Sequence, residues 1–376
     1  MSRWEMVRLG DVASFVNGFA FKPSDWGETG LPIIRIQNLT GSSKEINYYA
    51  GDYPARVEVN DGDILISWSA SLGIYIWNQG KAVLNQHIFR VVFDKVAIDR
   101  VYFVYSVSRK INEMLSKTHG STMKHIVKGE FENTLIPLPP LATQRAIAAT
   151  LDQAAALIAL RKQQIEKLDL LVKARFVEMF GEYEQKPDSF KKLKDVCKFI
   201  DYRGKTPEKS DCGIPLITAK NVRANAFSVE PREYIPIENY DCVMTRGIPM
   251  HNDVLFTTEA PLGNVCRIPP IYEKFCVGQR IITIQATPSL LTSEYLEQAL
   301  LGKRFQESVL RRSTGSTVVG IRSKELVELP IPLPPLHLQR QFALFVEQVE
   351  HQKQTLKQAQ AQLQLQYDAL MQEYFG

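Results

Sequence analysis

The sequence has no C-x-x-C pair. Its five cysteines, Cys197, Cys212, Cys242, Cys266 and Cys276, all fall in the second half at wide spacing. An odd, scattered set argues against a disulfide framework or a zinc ribbon and favours reduced, mostly buried thiols. Long apolar runs are also missing. The longest uncharged window, residues 64–80, is interrupted by Ser, Asn, Gln and Gly, which suits two buried strands better than a membrane span. The first dozen residues mix charges of both signs, unlike a secretory leader. A soluble, cytoplasmic protein with no membrane contact is expected.

Catalytic signatures are equally scarce. There is no G-x-G-x-x-G, and the "GKT" at 204–206 has Phe199 where a phosphate-binding loop needs its first glycine. The one Pro-Asp pair, Pro187 and Asp188, lacks the downstream acid-x-Lys triplet of a nuclease. No N-P-P or D-P-P precedes an aromatic, as amino-methylating enzymes require. Six histidines (His87, His119, His125, His251, His337, His351) form no ligand pattern, so each reads as structural and no metal site is expected.

What is present is a repeat. Residues 136–145 read IPLPPLATQR and residues 331–340 read IPLPPLHLQR, and the ungapped match runs on to "FG" in both copies. Upstream, LGDV (9–12) pairs with LKDV (193–196), LPIIRIQNL (31–39) with IPLITAKNV (214–222), GDILIS with NDVLFT, and GST (120–122) with GST (315–317). At 376 residues, 45% hydrophobic and 23% charged, the chain has room for two or three ordinary globular domains, and the matches imply a tandem duplication. Each copy opens with short β-like runs: 32–39, 62–68 and 88–93 in the first, 253–258 and 280–286 in the second. A helix is predicted to close each globular part, from near Asp99 to Lys117 and from near Ser293 to Arg312, because Asp and Ser suit the N-cap and apolar residues then recur at helical spacing.

The adjacent prolines of each mark, Pro139 with Pro140 and Pro334 with Pro335, are tolerated in a first helical turn and nowhere deeper, so each mark predicts the start of a helix. A proline-rich peptide ligand is the rival reading. The segments that follow keep a 4,3 apolar alternation, which predicts a coiled-coil seam through Leu151, Ile158, Arg161, Ile165 and Val172 in the first copy. In the second it runs through Val349, Leu356, Gln360, Leu363 and Leu370. The Gln-rich stretch near 352–366 also fits a polar tail, but the seam passes through it. Helices over about 141–179 and 336–374 are each about 58 Å long at the standard rise. Pairing their seams requires the second to run antiparallel to the first, with a pseudo-twofold axis matching positions whose numbers sum to 521.

A net charge of +4 is weak evidence for nucleic acid, but its distribution is uneven. Residues 100–128 hold six Lys or Arg against Glu113 alone, and 303–324 hold six against Glu307 alone. Arg109 aligns with Arg304 and Lys117 with Arg312. The GST segments add small hydroxyl residues where a backbone would approach phosphate. Candidate DNA-contacting residues are therefore Arg109, Lys117, Ser121, Thr122, Lys124, Arg304, Arg312, Ser316 and Thr317, with Arg203 and Lys205 from the "YRGKTP" run at 202–207. Cations that merely complement helix C-termini are the alternative.

This order of β-rich domain, GST, IPLPPL, Q-containing helix and FG, given twice, together with YRGKTP at 202–207, resembles the DNA specificity (S) subunit of type I restriction-modification enzymes over the whole chain. The resemblance implies an α+β fold: two mixed α/β target-recognition domains separated by a long antiparallel two-helix coiled coil, as an internal tandem duplication with pseudo-twofold symmetry. On that reading residues 1–135 and 182–330 are the recognition domains, and 136–181 and 331–376 the conserved spacer helices. It implies a non-catalytic subunit that reads an asymmetric bipartite site in double-stranded DNA, docks two methyltransferase subunits and, in some systems, restriction subunits. It holds no cofactor of its own, while the partners use S-adenosylmethionine and, for restriction, ATP and Mg. The alternatives are a self-contained DNA methyltransferase or nuclease, disfavoured by the missing motifs, and a structural coiled-coil adaptor, disfavoured by the two basic stripes.

Overall fold

The computed structural model describes residues 4–117, 127–202, 207–315 and 317–376. They form two compact units, residues 1–162 with 358–376, and residues 163–357. Both are mixed helix and sheet.

In the first unit an antiparallel sheet has the order Ser14–Asn17, Ile88–Val92, Ile64–Ser67, Gly73–Ile76. The second unit repeats that order with Cys197–Asp201, Ile281–Ala286, Val254–Thr257 and Val265–Arg267. A smaller mixed sheet accompanies each, and its one parallel pairing recurs: Leu31–Ile34 with Ala82–Leu84, and Ile214–Ile217 with Cys276–Val277. The duplication read from short matches is thus a duplication of topology.

Strand period explains why the central strands are buried on both faces. Ile64 and Ile66 point into one core with Phe15, Phe89 and Phe103, while Leu65 points into another with Val59 and Leu84. Val254 and Phe256 face the core of Tyr295 and Leu300, and Leu255 faces Ile217 and Cys266. Each fully buried side chain of this size contributes about 1.5–3 kcal/mol.

Two sequence expectations change in the structure. The run 32–39 is not one strand: it ends at Ile34 and turns into the helix Ile36–Thr40. The Asn38 Oδ1 accepts the Arg35 N–H at 3.0 Å, a local side-chain bond that outcompetes the sheet ladder. Asn221 does the same for Thr218 at 2.8 Å. The second closing helix is also two, Ser293–Leu301 and Lys303–Arg312, because Gly302 between them is extended at ψ 141. Thr292, not Ser293, is its N-cap, accepting the Tyr295 N–H at 3.3 Å. In the first unit Asp99 caps the helix Arg100–Lys117 as its sequence predicts, accepting from Val101 and Tyr102 at 3.0 Å each.

The proline marks have three structural tasks. Leu135–Pro137 pairs antiparallel with Met6–Arg8, and Pro330–Pro332 with Phe190–Lys192, so each mark first closes its domain against the opening strand. The Pro pair then starts the long helices Leu141–Phe180 and Leu336–Phe375. Third, the glutamine four residues past the second proline is buried and acts as a clamp. Gln144 accepts from the Asp99 N–H at 2.8 Å and donates to the Pro139 carbonyl at 2.8 Å. Gln339 accepts from the Thr292 N–H at 3.0 Å and donates to Pro334 at 2.8 Å and Leu290 at 3.1 Å.

The seam residues are the inward ones. Leu151, Val172 and Val349 are buried, and Ile158, Arg161, Ile165, Leu356, Gln360, Leu363 and Leu370 are half-buried, while the residues between them are largely exposed. Within the second unit Phe180 packs on Phe342, Arg175 lies over the Phe345 ring and Asp169 pairs with Lys353, so the helices run antiparallel there. Those pairs have number sums of 520 to 522, bracketing the 521 of the proposed register. In the first unit Ile147 and Leu151 share a core with Met371 and Phe375.

Among the described residues no helix is long and apolar enough to cross a membrane, and no group of His, Cys, Asp or Glu is arranged to hold a metal. Cys197, Cys266 and Cys276 are buried and Cys212 and Cys242 exposed, all as free thiols.

Candidate nucleic-acid interface

Of the residues singled out by charge and symmetry, Ser121, Thr122, Lys124, Arg203, Lys205 and Ser316 lie outside the described residues. Lys117 is the last residue of its helix. Arg109 and Arg304 occupy matching positions and both are engaged within their own unit. Arg109 donates to Glu113 at 3.1 Å and to Gln372. Arg304 donates to the Glu184 carbonyl and lies 4.4 Å over the Phe190 ring. Arg312 sits at the end of its helix, 3.9 Å from Glu325, and Thr317 is exposed.

A different place in each unit has the shape of a recognition site. In the first, the turn after strand Ile64–Ser67 and the loop before strand Ile88–Val92 border a cleft of about 510 Å³ lined by Trp26, Arg35, Gln37, Trp68, Gln86 and His87. In the second, the same two connections border a cleft of about 280 Å³ lined by Glu259, Gln279, Arg280, Thr314 and Arg322.

The two clefts share backbone hydrogen bonds at the turn and the loop, while the third wall differs: Trp26 and residues 35–37 in the first, Thr314, Val318 and residues 320–322 in the second. The Trp68 N–H donates to the His87 carbonyl at 3.4 Å, and the Thr258 N–H to the Arg280 carbonyl at 2.9 Å. The Asn85 N–H donates to Ile34 at 3.1 Å, and the Gly278 N–H to Ile217 at 2.8 Å. Ala70 and Ala260, matched in the turn, both take positive φ, 56° and 42°. The side chains on this frame differ: Trp68 against Thr258, Ser69 against Glu259, His87 against Arg280, with Gln86 and Gln279 in common.

The chemistry of the two clefts differs accordingly. In the first, Trp68 stacks on Phe89 at 5.7 Å, the His87 ring lies 5.5 Å from Trp68, and Gln86 meets His87 at 3.2 Å. The Arg35 guanidinium lies 4.5 Å over the Trp26 ring and donates to Asn47 at 3.1 Å. In the second, Arg280 meets Glu259 at 3.1 Å, with their side chains 56% and 41% exposed. So exposed a pair contributes at most about 1 kcal/mol. Arg280 holds φ at 67°, a left-handed backbone that costs a bulky L-residue about 1–2 kcal/mol. The fold gains nothing net from placing an arginine there, and strain of this kind concentrates at functional sites.

Sequence reasoning passed over these cleft residues. The signal was present: ISWSASLG against FTTEAPLG and NQHI against GQRI differ at a few positions inside otherwise matching frames. Only the pairing of the two connections in space makes those positions neighbours.

A family model described as "Type I restriction modification DNA specificity domain" matches residues 1–170 and 187–365 of this chain. The type I restriction enzyme MjaVIII specificity subunit of Methanocaldococcus jannaschii is 26% identical over 379 residues, 93% of this chain and 86% of that protein. The type I restriction enzyme EcoBI specificity subunit of Escherichia coli is 28% identical over 172 residues, 45% of this chain and only 36% of that protein. Among solved structures, the Type-I restriction-modification system S subunit from M. genitalium has a TM-score of 0.56 at 14% identity, over 100% of this chain and 96% of that one. A chain from a structure of the type I R-M system, described in terms of complex assembly and conformational transition, reaches 0.59 at 20% identity over 99% and 97%. These two share the fold. Because the family model covers both repeats, and the structure shows each repeat to be the same sheet frame leading into a long helix, this chain belongs to the type I restriction modification DNA specificity family.

Proposed function

We propose that the chain reads an asymmetric, bipartite site in double-stranded DNA, one half by each unit, and delivers two methyltransferase subunits to it. The chain itself is the non-catalytic specificity subunit of its system. The observation that carries the bipartite reading is the doubled frame with different side chains: one topology presented twice implies two half-sites, and different cleft residues imply two different sequences.

The long helices supply a surface for partners. Leu157, Leu160, Leu170, Leu171 and Val177 on the first are 45–66% exposed although the seam faces elsewhere, more apolar surface than a solvated helix face needs. The methyltransferase partners would supply S-adenosylmethionine chemistry and restriction subunits, where they join, ATP and Mg. All of this suits a cytoplasmic assembly.

The test is methyl transfer from labelled S-adenosylmethionine to DNA, with and without co-purified methyltransferase subunits. Transfer only in the assembled complex, at a bipartite sequence with unlike halves, is the expected result. Transfer by the chain alone, or at a palindromic site, refutes the reading.

A further inference from the structure

We propose that the paired cleft is the base-reading site of each unit, with a shared frame that places it and exchanged side chains that set the sequence read. In the second unit the reader is Arg280, held by Glu259; in the first it is His87, with Trp68. The inference rests on the DNA-specificity reading above.

The argument starts from the frame. The same backbone hydrogen bond holds position 87 to position 68 and position 280 to position 258, so the exchanged residues occupy matching stations, with Arg280 alone in a positive-φ backbone. A structural station would carry similar residues in both copies, as the clamps Gln144 and Gln339 or Asn38 and Asn221 do. This station carries an imidazole beside an indole in one copy and a guanidinium beside a carboxylate in the other.

Chemistry then divides the labour. The Arg280 fork is more than half exposed yet oriented by Glu259 at 3.1 Å, a geometry suited to the O6 and N7 acceptors of guanine in a major groove. Exposed Arg322 lies on the same rim, beside Thr314, where a phosphate would approach. The first cleft has no arginine at this station. Its indole and imidazole offer a stacking and methyl-contacting wall, with the amides of Gln37 and Gln86 as paired donors and acceptors. The half-site read by the second unit should therefore contain a guanine that depends on Arg280, and that of the first should not depend on it.

The experiment uses the assembled methyltransferase complex and maps every methylated site on genomic DNA for the wild type, Arg280→Ala, Arg280→Gly and His87→Ala. Arg280→Gly removes the side chain while relieving the positive φ, so a folding defect in the alanine variant does not obscure the result. The expected outcome is one degenerate base pair in one half-site for both Arg280 variants, with discrimination there reduced roughly 5- to 150-fold and the other half-site intact. His87→Ala should relax the opposite half only. Unchanged half-sites in all variants overturn the assignment, as does a uniform loss of affinity with no change of sequence, which would mean phosphate contact alone. A wild-type complex that methylates without sequence preference would instead sink the DNA-specificity reading on which the assignment stands.

Discussion

The buried hydroxyl of Tyr295 donates to the carbonyl oxygen of Pro332 at 2.8 Å, and in the other repeat Tyr102 donates to Pro137 at the same distance. Each tyrosine comes from the helix that follows the sheet, and each proline from the strand that closes the domain. Replacing Tyr295 by Phe keeps the ring but leaves a buried carbonyl unpaired, so unfolding in urea should show a loss of about 1–2 kcal/mol. An unchanged midpoint would show that water satisfies the carbonyl and that this bond does not fix the closing strand.

Gln339 makes three hydrogen bonds from a fully buried position, to Thr292, Leu290 and Pro334. Gln339→Leu conserves volume but orphans an N–H and two carbonyls, at a cost of about 2–4 kcal/mol. Gln144→Leu should behave alike. Thermal unfolding of both variants checks this, and a loss confined to one repeat would mean the two clamps are not equivalent.

Glu328 lies between Lys192 at 2.7 Å and Lys194 at 2.5 Å, and their hydrogen bonds bring its carboxyl down to about 2 from an ordinary 4.5. With the folded value below the unfolded one, the contribution of this cluster is complete above about pH 4.5 and disappears as pH falls toward 2. The carboxyl is a third exposed, so the effect is screened and salt should weaken it. Stability measured from pH 5 to pH 2 should fall less steeply for Glu328→Gln than for the unsubstituted chain, and equal slopes would assign the acid transition to other carboxylates.

Arg161 and Gln360, paired in the proposed register near the middle of a largely apolar seam, are both polar and half-buried. A polar layer costs stability and fixes alignment. The double variant Arg161→Leu with Gln360→Leu should unfold at higher temperature and lose its unique register, read by disulfide trapping at engineered cysteine pairs along the helices. Higher stability with a single trapped register would show that apolar packing alone sets the alignment.

Inserting one heptad in each long helix, after Ile165 and after Gln360, preserves the 4,3 phase and adds about 10 Å at the standard helical rise. If the helices act as a spacer, the unspecified gap between half-sites should grow by about one to three base pairs while both half-sites stay the same. Methylated-site mapping reads the gap directly, and an unchanged gap with retained activity would leave the helices as docking surface only.

The sequence by itself determined whatever depends on local period or backbone chemistry. Prolines 139, 140, 334 and 335 mark where the long helices begin, because a proline ring is excluded from a helix interior. The 4,3 spacing identified the inward residues from Leu151 to Leu370, because it follows helical geometry whatever surrounds it. Asp99 announced its cap, and matching short runs announced the duplication. Tertiary structure decided what depends on partners distant in the chain. The arginines aligned as 109 and 304 looked free for phosphate because nothing local pairs with them except Glu113. Folding brings Gln372 to the first and Phe190 with the Glu184 carbonyl to the second. The clefts were illegible for the same reason: Trp68 and His87, or Glu259 and Arg280, are about twenty residues apart. Only the hydrogen bonds between a turn and a loop put them side by side.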